Sequence, residues 1–345
     1  MRFEAERYRA ADDPTNVAVM TARANGATAS VRSRAEEVVE RAVAAALTAA
    51  PRVVLAVSGG RDSMALLEAA LRARRGAVAA VATFDHGTGP SARDAVLVVR
   101  RVAGNHGVRV VAGRSRGGAT GEAAWRAARW TFLREVAGRC DAQVATAHTR
   151  DDQIETVFIR ALRGASARGL AGLYAASDVV RPLLDVSRAD VAEYAASRRL
   201  EIVDDPSNAS RRFLRNRVRL DILPALETAR PGFGDELLAV SRRAAACRAE
   251  IERWVDALAP RREGSGVYVA ADPLLALTAM GRALVWPAIA ARAGVVLDRR
   301  ATARLAEFTG GVTGRGRVPL AGGHEVVRHR HAFEVRASAA GRTTG

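Results

Sequence analysis

The stretch that decides the fold is Val53-Val54-Leu55-Ala56-Val57-Ser58-Gly59-Gly60-Arg61-Asp62-Ser63, in which an apolar β run ends in a Ser-Gly-Gly turn that opens a helix. Two glycines let the backbone come close to an anion, and the helix that follows presents its positive dipole end. Ser58 and Ser63 add hydroxyl donors. A Walker A loop would need a lysine after its glycines, and none follows here. The stretch therefore predicts a pyrophosphate-binding turn, and a plain strand-to-helix turn is the alternative.

The charge of the chain comes from arginine alone. The 345 residues contain 53 basic residues, none of them lysine, and 37 acidic residues, which gives a net charge of +16. Without lysine the chain cannot form a lysine Schiff base, use a lysine nucleophile or build a P-loop lysine. The excess of guanidinium groups favours a polyanionic partner, because each one matches phosphate bidentately. A GC-rich genome is the other explanation of the arginine bias.

The cysteines and the apolar stretches limit the class of protein further. Cys140 and Cys247 lie 107 positions apart, so they form neither a disulfide framework nor a paired metal motif, and we expect a cytoplasmic protein. The longest apolar stretch, residues 42–57, is interrupted by Thr48, Pro51 and Arg52, so no membrane span is predicted. Residues 1–30 read as a flexible N-terminal extension.

The pattern along the chain predicts an α/β fold with a doubly wound, mostly parallel sheet. In such a sheet, ligands bind at the carboxyl ends of the strands, where Ser58, Asp85 and His148 fall. The strands are predicted at Val53 to Val57, Val78 to Phe84, Val108 to Ala112, Gln143 to Ala147 and Val179 to Leu183. The helices between them are predicted at Asp62 to Arg74, Ala92 to His106, Glu122 to Ala137 and Arg150 to Arg163.

The second half of the chain predicts a helical domain followed by a small α+β C-terminal region. Residues 235–258 read as a helical, hairpin-like stretch, and Pro260 with Gly264-Ser265-Gly266 marks a domain boundary. Short β runs close the chain after helices near residues 275–293 and 300–308. The expected organisation is an extension at 1–30, an α/β domain at 31–228, a helical linker or domain at 229–262, and an α+β region at 263–345.

The second informative block is residues 145–156, a strand that ends at His148 and opens a helix. Thr149 suits the N-cap, with Asp152 three positions on as in a capping box. Helical spacing predicts a buried stripe and places Asp152 and Glu155 together on another face, where two carboxylates could bind magnesium or a cationic substrate. The predicted stripe contains Ile154, Val157, Phe158, Ala161 and Leu162.

The third block follows the turn Asp205-Pro206-Ser207-Asn208 and packs five arginines into residues 211–219. On a helix, Arg211, Arg215 and Arg219 would stack on one face. Only Asp221 offers a compensating charge within that helix. A solvated charged face and an anion-binding face, for a triphosphate or for a tRNA backbone, are both open at this point.

Together these blocks resemble tRNA(Ile)-lysidine synthetase, a family within the PP-loop ATP pyrophosphatases. The resemblance is close over residues 51–226 and is strengthened by the segments at 162–173 and 181–184. It implies an adenine nucleotide α-hydrolase-like fold and a two-step ligation. ATP adenylylates the carbonyl oxygen on carbon 2 of the wobble cytidine in the isoleucine tRNA with a CAU anticodon, and the ε-amine of free L-lysine then displaces AMP.

The resemblance also assigns roles. Residues 31–228 are implied to be the PP-loop ATP-binding catalytic domain, and residues 263–345 the tRNA-binding region. Asp62 is implied to position a magnesium ion, and a homodimer is left open. The ATP-binding residues are implied to be Ser58, Gly59, Gly60, Arg61, Asp62 and Ser63. The catalytic residues are implied to be Asp62, His148, Asp152 and Glu155. Contacts with phosphate or tRNA are implied for Arg126, Arg129, Arg215, Asn216 and Arg219.

One departure from the family pattern affects the site, because Thr149 stands where a second histidine is usual. Other classes of protein are weighed against this reading. A 2-thiocytidine-type sulfur transferase would need paired cysteines, and NAD or GMP synthetases lack the block at 205–219. A tRNA-binding protein without catalysis would not need Ser58, Asp62 and Asp152.

Overall fold

The computed structural model describes residues 32–85, 87, 89–115, 122–204, 210–311 and 316–338. The predicted N-terminal extension and the Asp205 to Asn208 turn lie outside these residues.

The first sheet confirms the predicted doubly wound architecture. Its five strands are all parallel and stand in the order β3-β2-β1-β4-β5. Alternate residues of β1 face opposite layers: Val53 and Leu55 pack in one hydrophobic core and Val54 packs in another. The strands are β1 Val53–Ala56, β2 Val78–Asp85, β3 Val110–Arg114, β4 Gln143–Ala145 and β5 Val179–Val180.

Helices cover both faces of this sheet, because its central strand is buried on both sides. The first core is built with α1, α2, α3 and α7, and α4 covers the second. Helix α1 was not predicted from the sequence. The helices are α1 Arg34–Ala49, α2 Arg61–Arg74, α3 Pro90–Asn105, α4 Glu122–Arg139, α5 Arg150–Leu162, α6 Ala167–Leu170 and α7 Arg188–Ser197.

The strand order reverses between β1 and β4, which are hydrogen-bonded neighbours with Leu55 opposite Ala145. Strands β2 and β3 lie on one side of this pair, and β5 lies on the other. The loops after β1 and β4 therefore diverge and leave a crevice at the carboxyl edge, the usual ligand site of such sheets. This topology brings the Ser58 loop and the His148 segment side by side.

The second half of the chain corrects one prediction. Residues 235–257 belong to one continuous helix, α10 Phe233–Ala257, and not to a hairpin. The segment with Pro260 and Gly264, predicted to be a domain boundary, contains a β-hairpin, because Gly264 has a φ of +59° and turns the chain. The hairpin strands are β6 Arg261–Glu263 and β7 Gly266–Ala270.

The hairpin joins an antiparallel sheet in the order β6-β7-β10-β9-β8, as the predicted β runs near the C-terminus require. Trp286 and Phe333 meet edge to face at 5.7 Å in its core. The strands are β8 Gly316–Leu320, β9 His324–Arg328 and β10 Ala332–Ala337, and the helices are α8 Leu214–Arg217, α9 Leu223–Ala229, α11 Ala271–Ala276, α12 Ala279–Arg292 and α13 Arg299–Gly310. Among the described residues, no helix is long and apolar enough to span a membrane.

Candidate active site

The loop after β1 has the geometry of an anion site. Gly59 has a φ of +86°, and a Cβ there would lie 2.8 Å from Cβ of Ala95 on α3. The Ser63 hydroxyl accepts the Ser58 N–H at 3.2 Å and donates to the Gly60 carbonyl at 2.8 Å. Gly60 caps α2 without a side-chain hydrogen bond, so no side-chain cap occupies the first turn of the helix. These features fit phosphate groups, because backbone N–H donors and the helix dipole favour negative charge.

Asp62 links this loop to the acidic pair on α5. Burial raises the pKa of Asp62, and the negative charge of Asp152 raises it further, while Arg188, Arg61 and Arg219 act against both effects. Asp62 therefore lies within electrostatic reach of Asp152 and of arginines from two other elements. The structure brings together the two blocks that the sequence singled out.

The start of α5 confirms the predicted capping box. The Asp152 carboxylate accepts the Thr149 N–H at 2.9 Å, and the buried Thr149 side chain caps the helix in return. The predicted buried stripe is wrong in part, since Leu162 is 59% exposed while Asp152 and Glu155 are buried. The acidic face turns inward because it meets arginines there.

Three guanidinium groups surround the two buried carboxylates. Arg188 Nη2 lies 3.2 Å from Asp152 Oδ1 and 2.9 Å from Glu155 Oε1. Arg215 lies 3.0 Å from Asp152 and 2.8 Å from Glu155, and Arg219 contacts the same two residues at 3.2 and 2.7 Å. Burial acts to raise the pKa of Asp152, but Arg215, the Thr149 N–H and Arg188 outweigh it, so the pKa is lowered. We call these five side chains the arginine–carboxylate cluster.

The arginine run itself differs from the single charged helix that the sequence predicted. The α8 helix begins at Leu214, and Arg211 before it pairs with Asp221 at 3.0 Å. Residues 218–222 form a π-helical turn, in which the Leu223 N–H bonds to the Val218 carbonyl. Pro224 lacks an N–H and cannot bond to the carbonyl four residues before it, which favours such a turn. The compensating charge for Arg215 and Arg219 comes from α5 and not from their own helix.

Sequence reasoning missed Arg188. It follows Ser187, whose side chain accepts the Asp190 N–H and caps α7. The residues next to Arg188 predict only this cap, because the carboxylates that Arg188 contacts lie 33 and 36 positions away in the sequence. The backbone N–H of Arg188 also donates to Asp151 at 2.7 Å. No sequence signal available to us pointed to these partners.

His148, which follows β4, and the arginines near the start of α4 lie at the carboxyl edge of the sheet, within electrostatic reach of each other. Burial lowers the pKa of His148 to about 4, so its ring is neutral at pH 7, and Nδ1 lies 2.8 Å from the Thr146 hydroxyl. Burial and the charge of Arg126 lower the pKa of Arg129. Arg126 also acts electrostatically on His148. We call Arg126 and Arg129 the basic corner; their two like charges suit an anion such as phosphate. The Asn216 side chain donates to the Ser210 carbonyl at 2.8 Å.

Magnesium fits this site only together with phosphate oxygens. Across the residues that the structure describes, no group of three or more histidine, cysteine, aspartate or glutamate side chains could hold a metal ion. Magnesium in nucleotide sites commonly uses one or two carboxylates plus the phosphates of the substrate. Asp62 beside the phosphate loop matches that arrangement.

The parallel sheet and the loop after β1 define the broad class of protein. A family model described as a PP-loop domain matches residues 29–226, so the chain is a PP-loop ATP-binding protein. A solved structure, the U34-tRNA thiolase NcsA from Methanococcus maripaludis, shares the fold with a TM-score of 0.50 and 17% identity. That likeness covers 60% of this chain and 78% of the thiolase.

The curated relatives narrow the class. A tRNA(Ile)-lysidine synthase from Salinispora arenicola is 38% identical over 86% of this chain and 95% of its own length. Another from Treponema pallidum is 34% identical over 75% of this chain, and one from Rhodopseudomonas palustris is 40% identical over 60%. The chain spans 60% and 63% of the length of these last two relatives. The protein belongs to the tRNA(Ile)-lysidine synthase family, a family of C–N ligases.

Proposed function

We propose that this protein ligates free L-lysine to carbon 2 of the wobble cytidine in the isoleucine tRNA with a CAU anticodon. ATP is consumed, the adenylylated tRNA is the intermediate, and pyrophosphate and AMP are released. The observation that carries the proposal is the uncapped start of α2 after Gly59-Gly60, placed beside Asp62 and the arginine–carboxylate cluster at the reversal of strand order. Membership of the lysidine synthase family supports the choice of substrates.

In the first step, oxygen 2 of the cytosine attacks the α-phosphorus of ATP. An O–P bond forms, the bond between the α-phosphorus and the bridging oxygen breaks, and pyrophosphate leaves with that oxygen. The N–H groups at the start of α2, with the hydroxyl groups of Ser58 and Ser63, would hold the departing pyrophosphate. Magnesium bound at Asp62 and the phosphates would supply charge neutralisation.

In the second step, the neutral ε-amine of lysine attacks carbon 2 and AMP leaves with oxygen 2. The ε-ammonium of free lysine has a pKa near 10.4, so a proton must be removed before attack. Asp152 is a weak base for this proton because its pKa is lowered. Asp62, whose pKa is raised by burial, would accept the proton only when it does not hold magnesium. His148 would remain a neutral hydrogen-bonding group.

Recognition of tRNA would rest on the basic corner. Arg126 and Arg129 lie on α4 near His148. Besides burial, the positive charge of Arg126 disfavours the charged form of Arg129 unless an anion binds. Phosphates of the anticodon loop would relieve that repulsion. Arg215 and Arg219 are committed to the buried carboxylates, so we propose that they position Asp152 and Glu155 for this chemistry.

The test is to incubate the protein with ATP, L-lysine and a transcript of the tRNA, and to measure pyrophosphate release and the mass of the wobble nucleoside. We expect lysidine at the wobble position and pyrophosphate release that needs the tRNA. Asp62→Asn and Asp152→Asn should lose turnover while the affinity for tRNA persists. Unmodified cytidine with a folded, ATP-bound protein would refute the proposal, and tRNA binding without pyrophosphate release would indicate a non-catalytic tRNA-binding protein.

A further inference from the structure

A segment that follows α7 contacts the loop between β1 and α2. We call residues 200–204 the strap. The N–H group of Val203 in the strap donates a hydrogen bond to the carbonyl of Gly59 at 3.0 Å. Gly59 is buried, and a buried carbonyl needs a hydrogen-bond partner. Val203 supplies that partner and fixes the direction in which the Gly59 carbonyl points.

The strap is placed by the helices on either side of it and not by the loop. The Leu200 N–H donates to the Ala195 carbonyl of α7 at 3.0 Å, and the Leu200 side chain packs against the first hydrophobic core. Glu201 pairs with Arg101 of α3 on the surface, where an ion pair adds little stability. The apolar contact of Leu200 is therefore the main anchor of the strap, and it sets the position of Val203 three residues further on.

The other contacts of the loop restrain the neighbours of the Gly59–Gly60 peptide. A Cβ at Gly59 would lie 2.8 Å from Cβ of Ala95, so the loop passes close to α3. The Ser63 hydroxyl holds the Ser58 N–H and the Gly60 carbonyl. Neither contact engages the carbonyl of Gly59 or the N–H of Gly60. Within the described part of the chain, the bond from Val203 is the hydrogen bond that holds this peptide.

The direction of the Gly59 carbonyl sets the direction of the next N–H group. In a trans peptide the C=O and N–H groups point in opposite directions, and no described peptide bond is cis. Because the Gly59 carbonyl points at the strap, the Gly60 N–H points away from it. No protein group among the described residues accepts a hydrogen bond from the Gly60 N–H. This donor is therefore open to a ligand at the start of α2.

The opposite orientation of this peptide would weaken the anion site. If the peptide flipped, the Gly59 carbonyl oxygen would take the place of the Gly60 N–H and present a partial negative charge to the ligand. Phosphate oxygens are also negative, so the flip would replace an attraction by a repulsion. Glycine has access to both orientations because it lacks a Cβ. The restraint on this peptide therefore has to come from another part of the chain.

We propose that Val203 is a positioning residue for the pyrophosphate part of ATP. Its N–H holds the Gly59–Gly60 peptide so that the Gly60 N–H donates to an oxygen of the β- or γ-phosphate. The inference deepens the proposed function and rests on its use of this loop for the phosphates, but it involves neither lysine nor tRNA. The backbone carries the role, so the side chain at position 203 contributes little to it.

Replacing the amide at Val203 by an ester removes the N–H and keeps the side chain. The α-hydroxy acid that corresponds to valine is introduced at position 203 of the full chain by nonsense suppression. Titration calorimetry then measures the affinity for inorganic pyrophosphate, ATP and AMP, each with magnesium and without tRNA or lysine. We expect the ester to weaken the binding of pyrophosphate and of ATP by about fivefold, which corresponds to about 1 kcal/mol for one hydrogen bond. The affinity for AMP, which lacks the β- and γ-phosphates, should stay within about twofold.

Two controls keep the contact with Gly59. The same ester at Ile202 removes an N–H that makes no hydrogen bond to any described residue, and Val203→Ala keeps the N–H and shortens only the side chain. Both should bind pyrophosphate within about twofold of the wild type. A Val203 ester that binds pyrophosphate as tightly as the Ile202 ester would overturn the proposal. An equal loss of affinity for AMP, ATP and pyrophosphate would also overturn it, because a general loosening of the site affects all three.

Lysidine formation separates this inference from the proposed function. The Val203 ester should raise the KM for ATP by about fivefold and leave the KM for lysine within about twofold. If the ester selectively weakens pyrophosphate binding but the wild type forms no lysidine, the proposed ligation fails and the positioning role stands. If lysidine forms and the Val203 ester binds pyrophosphate as the wild type does, the positioning role alone fails. A wild type that binds neither ATP nor pyrophosphate would refute both.

Discussion

Replacing Glu155 by glutamine tests the arginine–carboxylate cluster most directly. The Glu155 side chain is 1% exposed and meets three guanidinium groups at 2.7 to 2.9 Å. Glutamine has nearly the same shape but carries no charge, and its amide would direct donors at arginine donors. Three positive charges would then share one buried carboxylate, that of Asp152.

The size of the effect follows from burial. Removing one partner of a buried ion pair costs about 3–5 kcal/mol, since the other charge is left uncompensated. The three arginine side chains are 22%, 39% and 26% exposed, so water recovers part of this loss. We expect Glu155→Gln to lower the free energy of unfolding by about 2–3 kcal/mol.

Urea denaturation of the variant and of a matched control measures this loss. The control is Glu236→Gln, which removes a pair between two exposed side chains and should cost less than about 0.5 kcal/mol. Adding Arg188→Gln to Glu155→Gln should recover part of the loss, because it removes one of the unpaired positive charges. The reasoning is refuted if Glu155→Gln costs no more than the control, or if the double variant is less stable by the sum of both single losses.

Three further predictions concern the loop and the crevice. Gly59→Ala should lower the free energy of unfolding by about 2–3 kcal/mol and weaken ATP binding, because alanine disfavours the positive φ and its Cβ meets Ala95. The control Gly60→Ala, at a φ of −76° and with 3.7 Å to the nearest atom, should lower stability far less in thermal unfolding. Protonation of His148 favours the unfolded chain, since burial lowers its pKa from 6.5 to about 4. Stability should therefore fall as the pH drops from 6.5 towards 4, by up to roughly 3 kcal/mol, and His148→Gln should flatten this part of the pH profile. Asp62→Asn should raise the unfolding midpoint at pH 7 while it abolishes pyrophosphate release, because burial raises the pKa of Asp62 and disfavours its ionised form; an unchanged or lower midpoint would contradict this.

Local patterns were sufficient for the parallel sheet and for the two strand-to-helix turns at its carboxyl edge. Apolar runs of four to eight residues fixed the strands, and the Ser-Gly-Gly turn and the Thr149 cap could be read directly because their determinants lie within a few residues. The antiparallel hairpin at 261–270 was missed because its two arginines and a glutamate resemble a linker. Helix α1 was missed although its buried residues Val39, Val43 and Leu47 follow helical spacing.

The interior of the candidate site could not be predicted in the same way. The charges of Asp152 and Glu155 pointed to a polar face, but their burial depends on Arg188, Arg215 and Arg219, which lie 33 to 67 positions further along the chain. Helical spacing also failed between Arg211 and Arg219, where the chain leaves the helix and then enters a π turn. Partners that are distant in sequence and a local change of helical period leave no pattern in a single sequence.

The π turn at residues 218–222 sets the rotation of α9, the helix that continues it from Leu223 to Ala229. Each residue of an α-helix advances the chain by about 100° around the axis, so an extra residue in one turn shifts the direction of all later side chains by that angle. Deletion of one residue between Val218 and Ile222 would restore a regular helix, yet it would point Leu223 and Glu227 away from Glu155. Chain length is therefore constrained at this place, because an inserted or deleted residue would turn α9 relative to the acidic face of α5.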